Sequence, residues 1–262
     1  MKRFGGFVFL IIFFALVVTL GCVADLLGFG ILVWEWRIET VDLDGGTSTS
    51  LALDSSDYPH ISYHDDANGD LKYARWDGAA WQTETVDSDG NVGHYTSLAL
   101  DSSDKPHISY RDKCDEFYGN LKYAHWNGAA WQIETVDSGG NVCWHTSLAL
   151  DSSDYPHIAY CGEDSLKYAR WDGAAWQIET VDPEDNVGHY ASLALDSSGY
   201  PHISYGGHGS LMYARWDGDS WQIQRVEETQ FRSTSLALDS SDNPHISYCY
   251  KNTWELKYAH GE

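Results

Sequence analysis

The chain is 262 residues long, with 39 Asp and Glu against 16 Lys and Arg and a formal net charge of −23. So acidic a polypeptide repels phosphate backbones, which excludes an electrostatic nucleic-acid binder. Aromatics make up 14% of the residues, including 12 Trp and 17 Tyr, which excludes an acidic disordered segment, because so many large apolar rings have to be buried.

In chain order the first element is a targeting segment. Lys2 and Arg3 precede an uncharged run from Phe4 to Ala24, the charged-then-apolar order of an export signal. Residues 1–21 are read as a signal peptide or membrane anchor, and 22–35 as a linker. Thr19-Leu20-Gly21-Cys22 resembles a bacterial lipobox, whose cysteine is lipidated after cleavage. An uncleaved anchor and an ordinary cleaved signal are the alternatives. All three place the remainder outside the cytoplasm, and the first two tether it to the membrane at the cell surface.

From residue 36 onward the chain repeats. SLALDSS starts at Ser50, Ser97, Ser147, Ser192 and Ser235, Pro-His-Ile recurs at 59, 106, 156, 201 and 244, and Trp36, Trp81, Trp131, Trp176 and Trp221 keep the same register. Within a repeat, SLALD, PHISY, LKYARW and WQIETVD read as four short strands, the first, second and fourth alternating with a period of two and the third rich in aromatics. Asp-Ser-Ser-Asp-Tyr-Pro and Trp-Asp-Gly-Ala-Ala-Trp supply the turns after the first and third strands. A four-stranded antiparallel meander in roughly 45 residues is the size of one propeller blade. The expected fold is therefore all-β, a five-bladed β-propeller over residues 36–262 with repeats starting near 36, 81, 131, 176 and 221. The array opens on a lone fourth strand, Trp36 to Asp42, and stops after a third strand, Leu256 to His260. Pairing the two would close the ring and hide an edge, giving 20 strands from 20 segments.

The repeat SLALDSS-x-x-PHISY…LKYARWDGAAW resembles the tandem β-propeller repeats of secreted and surface microbial proteins, and its count of five is similar to that of tachylectin-like lectins. The resemblance implies a propeller with a tendency towards glycan binding. DGAAW is more distantly similar to the Asp-box of sialidase-like propellers.

In such a blade the turns after the first and third strands lie on one face of the ring and the remaining loops on the other. The first set is nearly invariant and reads as structural. The second varies, and loops on a rigid scaffold are where binding sites are built. Three of these loops contain Asn-Val motifs, which put His94 and Tyr95, Trp144 and His145, and His189 and Tyr190 at equivalent junctions. With Arg232 and Trp254 they form the candidate ligand-binding set, three shallow sites whose weak affinities would add through multivalency. Trp254 and Trp144, off the repeat register, offer flat indoles to the C–H face of a sugar. The register tryptophans read as blade core. His60, His107, His157, His202 and His245 read as members of a buried polar network, with a ring of metal ligands as the alternative.

Cys114, Cys143, Cys161 and Cys249 all fall in variable loops, and in an exported protein they are disulfide candidates. Cys114 with Cys143 and Cys143 with Cys161 are the leading pairings. No Cys-x-x-Cys or His-x-His spacing supports zinc, and no cofactor motif is present. Asp87, Asp89 and Asn91, at alternate positions around a glycine, are a weak calcium candidate. Arg75, Arg170 and Arg215 lead into the invariant face, which leaves Arg111 and Arg232 as the off-pattern arginines, too few for a sialidase-type triad. The expected function is non-catalytic, lectin-like carbohydrate binding by a monomeric propeller, its partners glycans or a cell-surface protein. A protein–protein scaffold is the runner-up and a glycosidase using paired loop carboxylates the third.

Overall fold

The structure, a computed structural model, describes residues 36–43, 45–112, 119–139, 142–250 and 253–261, with residues 143 and 144 as backbone only. The chain forms two units, residues 1–40 and residues 41–262. Of the first, residues 36–40 are described; they belong to no strand, and Trp36 and Ile38 are exposed. Among the described residues no helix is long and apolar enough to cross a membrane. The export segment and Cys22 lie outside them.

The second unit is all-β. Alternation of apolar and polar residues, interrupted by Asp and Gly turns, folds each repeat into its own antiparallel sheet. The first sheet holds β1 (Thr47–Leu53), β2 (Pro59–Asp65), β3 (Asp70–Trp76) and β4 (Trp81–Asp87). The second holds β5 (His94–Leu100), β6 (Pro106–Arg111), β7 (Leu121–Trp126) and β8 (Trp131–Asp137). The third holds β9 (Val142–Leu150), β10 (Pro156–Gly162), β11 (Ser165–Trp171) and β12 (Trp176–Asp182). The fourth holds β13 (Val187–Leu195), β14 (Pro201–Gly207), β15 (Ser210–Trp216) and β16 (Trp221–Glu228). The fifth has three strands, β17 (Phe231–Leu238), β18 (Pro244–Tyr250) and β19 (Leu256–His260). These are the blades of a propeller, and their first strands, β1, β5, β9, β13 and β17, lie side by side in succession.

The apolar cores lie between blades. One cluster joins Leu71 and Tyr73 of the first blade to Leu98, Ile108 and Tyr110 of the second, and the same combination recurs at the next three junctions. In the first four blades a serine of the first strand ties it to the next, its hydroxyl accepting a neighbouring N–H, as Ser50 does from Leu98 at 3.0 Å and Ser97 from Leu148 at 3.1 Å. Beneath the variable loops, the acid that ends one blade's fourth strand clasps the next blade. Asp87 accepts from Tyr110 and Lys122 at 2.6 Å each, Asp137 from Tyr160 and Lys167, and Glu227 from Tyr248 and Lys257. Asp182 keeps Tyr205, while Met212 stands where the lysine would be. Burial works against ionisation of Asp87, but Lys122 and Tyr110 outweigh it and hold the carboxyl below its ordinary range.

Three expectations change here. Trp36 to Asp42 does not form the twentieth strand; a strand is defined by its ladder, and β19 ends the fifth sheet as an edge, so the described residues hold nineteen strands in five sheets. The faces that closure would cover stay open: Leu51 is 62% exposed where its equivalent Leu98 is 7%, and Leu256 is 82% exposed. Asp42 nonetheless clasps Tyr63 and Lys72 as Asp87 clasps its own pair. Second, the Asn-Val motifs are not wholly loop. His94, His145 and His189 lie within first strands, whose alternation is broken by a bulge. Third, Cys161 belongs to β10 and Cys249 to β18 rather than to loops, the first buried and the second half-buried. Cys114 and the side chain of Cys143 lie outside the described residues.

Candidate functional site

The bulges place the candidate residues. Ser48, Tyr95, His145 and Tyr190 occupy one position in four first strands, and all four have φ between +50° and +74°. A left-handed conformation costs a non-glycine residue about 1 kcal/mol or more, and here it turns consecutive side chains towards one another across blades. Tyr95 meets His145 at 4.8 Å between ring centroids, His145 meets Tyr190 at 4.7 Å, and Tyr190 meets Phe231 at 6.1 Å. An aromatic arc thus crosses four blades on the variable-loop side. His94 belongs to a side branch, 3.9 Å from the buried His64, with its Nε2 2.9 Å from Asn91 Oδ1. The side chain of Trp144 lies outside the described residues.

The arc ends at a cavity of about 500 Å³ between the fourth and fifth blades. Blades one to three and five carry His64, Arg111, Cys161 and Cys249 at the position following the second-strand Tyr, and the fourth carries Gly206. A Cβ there would lie 3.2 Å from the ring of Phe231, so the glycine keeps the cavity floor clear. His189, Tyr190 and Arg232, all in the sequence-derived set, line it. Trp254 extends it: its indole is 64% exposed, with the Arg232 guanidinium 4.4 Å from the ring centroid, a cation–π contact. The other predicted pairs, Tyr95 and His145 among them, share the arc but not this cavity.

Sequence reasoning missed Asn186, His208, Thr229 and Gln230. Asn186 Oδ1 is 3.1 Å from His189 Nε2, and burial lowers the pKa of His189. The hydroxyl of Thr229 is buried with no hydrogen-bond partner among the described residues, and a buried hydroxyl left unsatisfied costs about 1–3 kcal/mol. The available signal was the shortening of the fourth blade's loop to Gly-Gly-His-Gly-Ser, which leaves room and little side chain. Among the described residues no Asp or Glu lines the cavity. Its groups donate and accept hydrogen bonds beside apolar rings.

Two of the calcium candidates already have side-chain partners. Asp87 is committed to Lys122, Tyr110 and the N–H of Asp89, and Asn91 to His94. Among the described residues no three metal-ligating groups converge. The five Pro-His histidines form the expected polar network. In each blade a Tyr donates to the Nδ1 of the His, whose Nε2 faces an Asp, as in Tyr213, His202 and Asp196. Burial lowers the pKa of His60, His157 and His202 and takes His107 down to about 4, while burial raises Tyr213 to about 12. The imidazoles of these four are therefore neutral, accepting at Nδ1 and donating at Nε2.

No protein-family model matches the chain, and no curated protein matches it in sequence. Solved structures do match. A protein of unknown function from Dyadobacter fermentans is 12% identical over 82% of this chain and 78% of its own, with a TM-score of 0.59. The lectin SapL1, solved with alpha methyl fucoside, is 13% identical over 81% and 79%, with a TM-score of 0.55. An ulvan lyase of polysaccharide lyase family PL25 is 14% identical over 81% of this chain and 64% of its own, with a TM-score of 0.59. At such identities the likeness is one of fold, and the fold this chain shares with them is the propeller of repeated antiparallel sheets.

Proposed function

We propose that the protein is a non-catalytic carbohydrate-binding propeller held outside the cytoplasm at the cell surface, and that the cavity between its fourth and fifth blades takes a neutral sugar. The observation that carries this reading is the company kept in that cavity. Tyr190 and Phe231 offer apolar ring surface, His189, Asn186, His208 and the unpartnered Thr229 hydroxyl offer neutral hydrogen-bonding groups, and no carboxylate is present among the described residues. Sugar recognition needs both kinds of surface. The net charge of −23 disfavours acidic glycans. A lectin and a polysaccharide lyase built on the same fold support the assignment to carbohydrate, and the absence of carboxylates from the cavity supports binding without hydrolysis.

The test is a glycan array probed with the full chain, alongside Arg232→Ala and Tyr190→Gly. The second removes a ring while relieving a left-handed φ, which offsets part of the packing lost. Binding to neutral glycans that weakens about tenfold or more in both variants, with little change in Tm, is the expected outcome. Failure of the folded wild type to bind any glycan would overturn the reading in favour of a protein partner at the exposed Trp254 and Arg232.

A further inference from the structure

The face whose turns repeat almost unchanged carries cavities too. Three of them, of about 620, 610 and 510 Å³, lie at the first, second and third blade junctions. They are built alike. At the third junction one wall comes from adjacent strands of the third blade, where Tyr168 pairs with Glu179 and Arg170 with Gln177. Paired residues project from the same side of a sheet, so the tyrosine, the arginine and the glutamate face the groove together. The opposite wall is Trp216 of the next blade, held edge-on by Trp221 at 5.7 Å. Tyr73, Arg75 and Glu84 with Trp126 repeat the set at the first junction. Tyr123, His125 and Glu134 with Trp171 repeat it at the second.

Arg75 and Arg170 are exposed and make no hydrogen bond or ion pair among the described residues, nor do Glu84 and Glu179. A strong donor and a strong acceptor thus share a groove without closing on each other, beside an indole. Adjacent hydroxyls on one pyranose ring satisfy both: one accepts from the guanidinium, the other donates to the carboxylate, and a C–H face rests on the tryptophan. Further carboxylates in the linings, Asp151 and Asp172 in the third groove and Asp77 and Asp104 in the first, leave an excess of negative charge that disfavours an acidic ligand.

We propose that these three grooves are a second set of carbohydrate subsites, each taking one neutral pyranose with vicinal hydroxyls, on the face opposite the cavity of the fourth junction. The proposal rests on the carbohydrate-binding reading and extends it to a multivalent surface. Its test is titration of the full chain with a panel of neutral methyl pyranosides, read as the number bound at saturation by native mass spectrometry. The wild type is compared with the double variant Arg75→Ala, Arg170→Ala and with Arg232→Ala. Both groove arginines are exposed and unpaired, so the double variant folds, and its unchanged Tm is the control. The expected result is a saturating number that falls by two in the double variant and by one in Arg232→Ala. An unchanged number in the double variant, with loss confined to Arg232→Ala, overturns the grooves and leaves the fourth-junction cavity standing. No binding by folded wild type overturns both.

Discussion

The two faces of this propeller hold their blades together by different chemistry. Beneath the variable loops the joint is ionic and lies in the strands: an acid at the end of one blade meets a tyrosine and usually a lysine of the next. On the other face the joint is made by the turns themselves. Ser55 donates through its N–H and hydroxyl to Asp104 of the next blade at 2.8 and 2.6 Å, Ser102 does so to Asp154, and Ser197 to Asp242. Loops above a joint that lies below them are free to vary in length. Turns that are the joint have to repeat, and they carry the grooves along at three of the junctions. Invariance on that face therefore says nothing against a binding role.

The ionic joint gives the largest expected effect. Asp87→Ala leaves the buried Lys122 without its partner, and removal of one member of a buried pair costs about 3 kcal/mol or more. Urea denaturation of the variant and of Asp87→Ala with Lys122→Met should show the loss and its partial recovery. If the single variant unfolds at the wild-type midpoint, the clasp contributes nothing and the contrast between faces collapses. Acid should find the other face. The imidazole of His107 titrates near 4 in the folded protein against an ordinary value of 6.5, because burial disfavours its charged form. A lowered folded value means that its stabilisation is complete above pH 6.5 and is lost as pH falls from there towards 4. For this residue the whole window amounts to about 3 kcal/mol, with smaller losses from His60, His157 and His202. Thermal melts between pH 7 and 4 check it, and His107→Phe should flatten the slope. The smallest effect belongs to the turn joint: Asp154→Ala removes two hydrogen bonds in an exposed setting and should lower stability by about 1 kcal/mol, measured by the same melts.

Most of the fold was legible because its signals are local. Period-two alternation and Asp-Gly or Pro turns marked four strands per repeat, and the PHISY and LKYARW strands fall where the alternation and the turn residues put them. The Asn-Val segments were misread because a left-handed residue shifts the alternation: past Tyr95, His145 and Tyr190 the ladder continues, though the sequence pattern breaks. The candidate site was half legible. His189 and Tyr190 were visible through a motif shared by three loops and Arg232 as a departure from the pattern, whereas Thr229 and Gly206 acquire meaning only from the neighbouring blade that leaves one unpartnered among the described residues and the other uncovered. The grooves were illegible for a related reason. Trp216 sits in the repeat register and reads as core, yet its ring forms the far wall of a cavity whose near wall lies one repeat away. Contacts across a repeat length leave no trace in local pattern.

Gly199 stands where three other turns carry the aspartate that receives the serine, so Ser152 of the third blade lacks the joint that Ser55, Ser102 and Ser197 have. Both residues line the third groove. Under tension the junction between the third and fourth blades is then the compliant one. Pulled from both ends, the propeller should part there before it parts at its stitched neighbours, and a ligand bridging that groove would stiffen the molecule at its weakest seam.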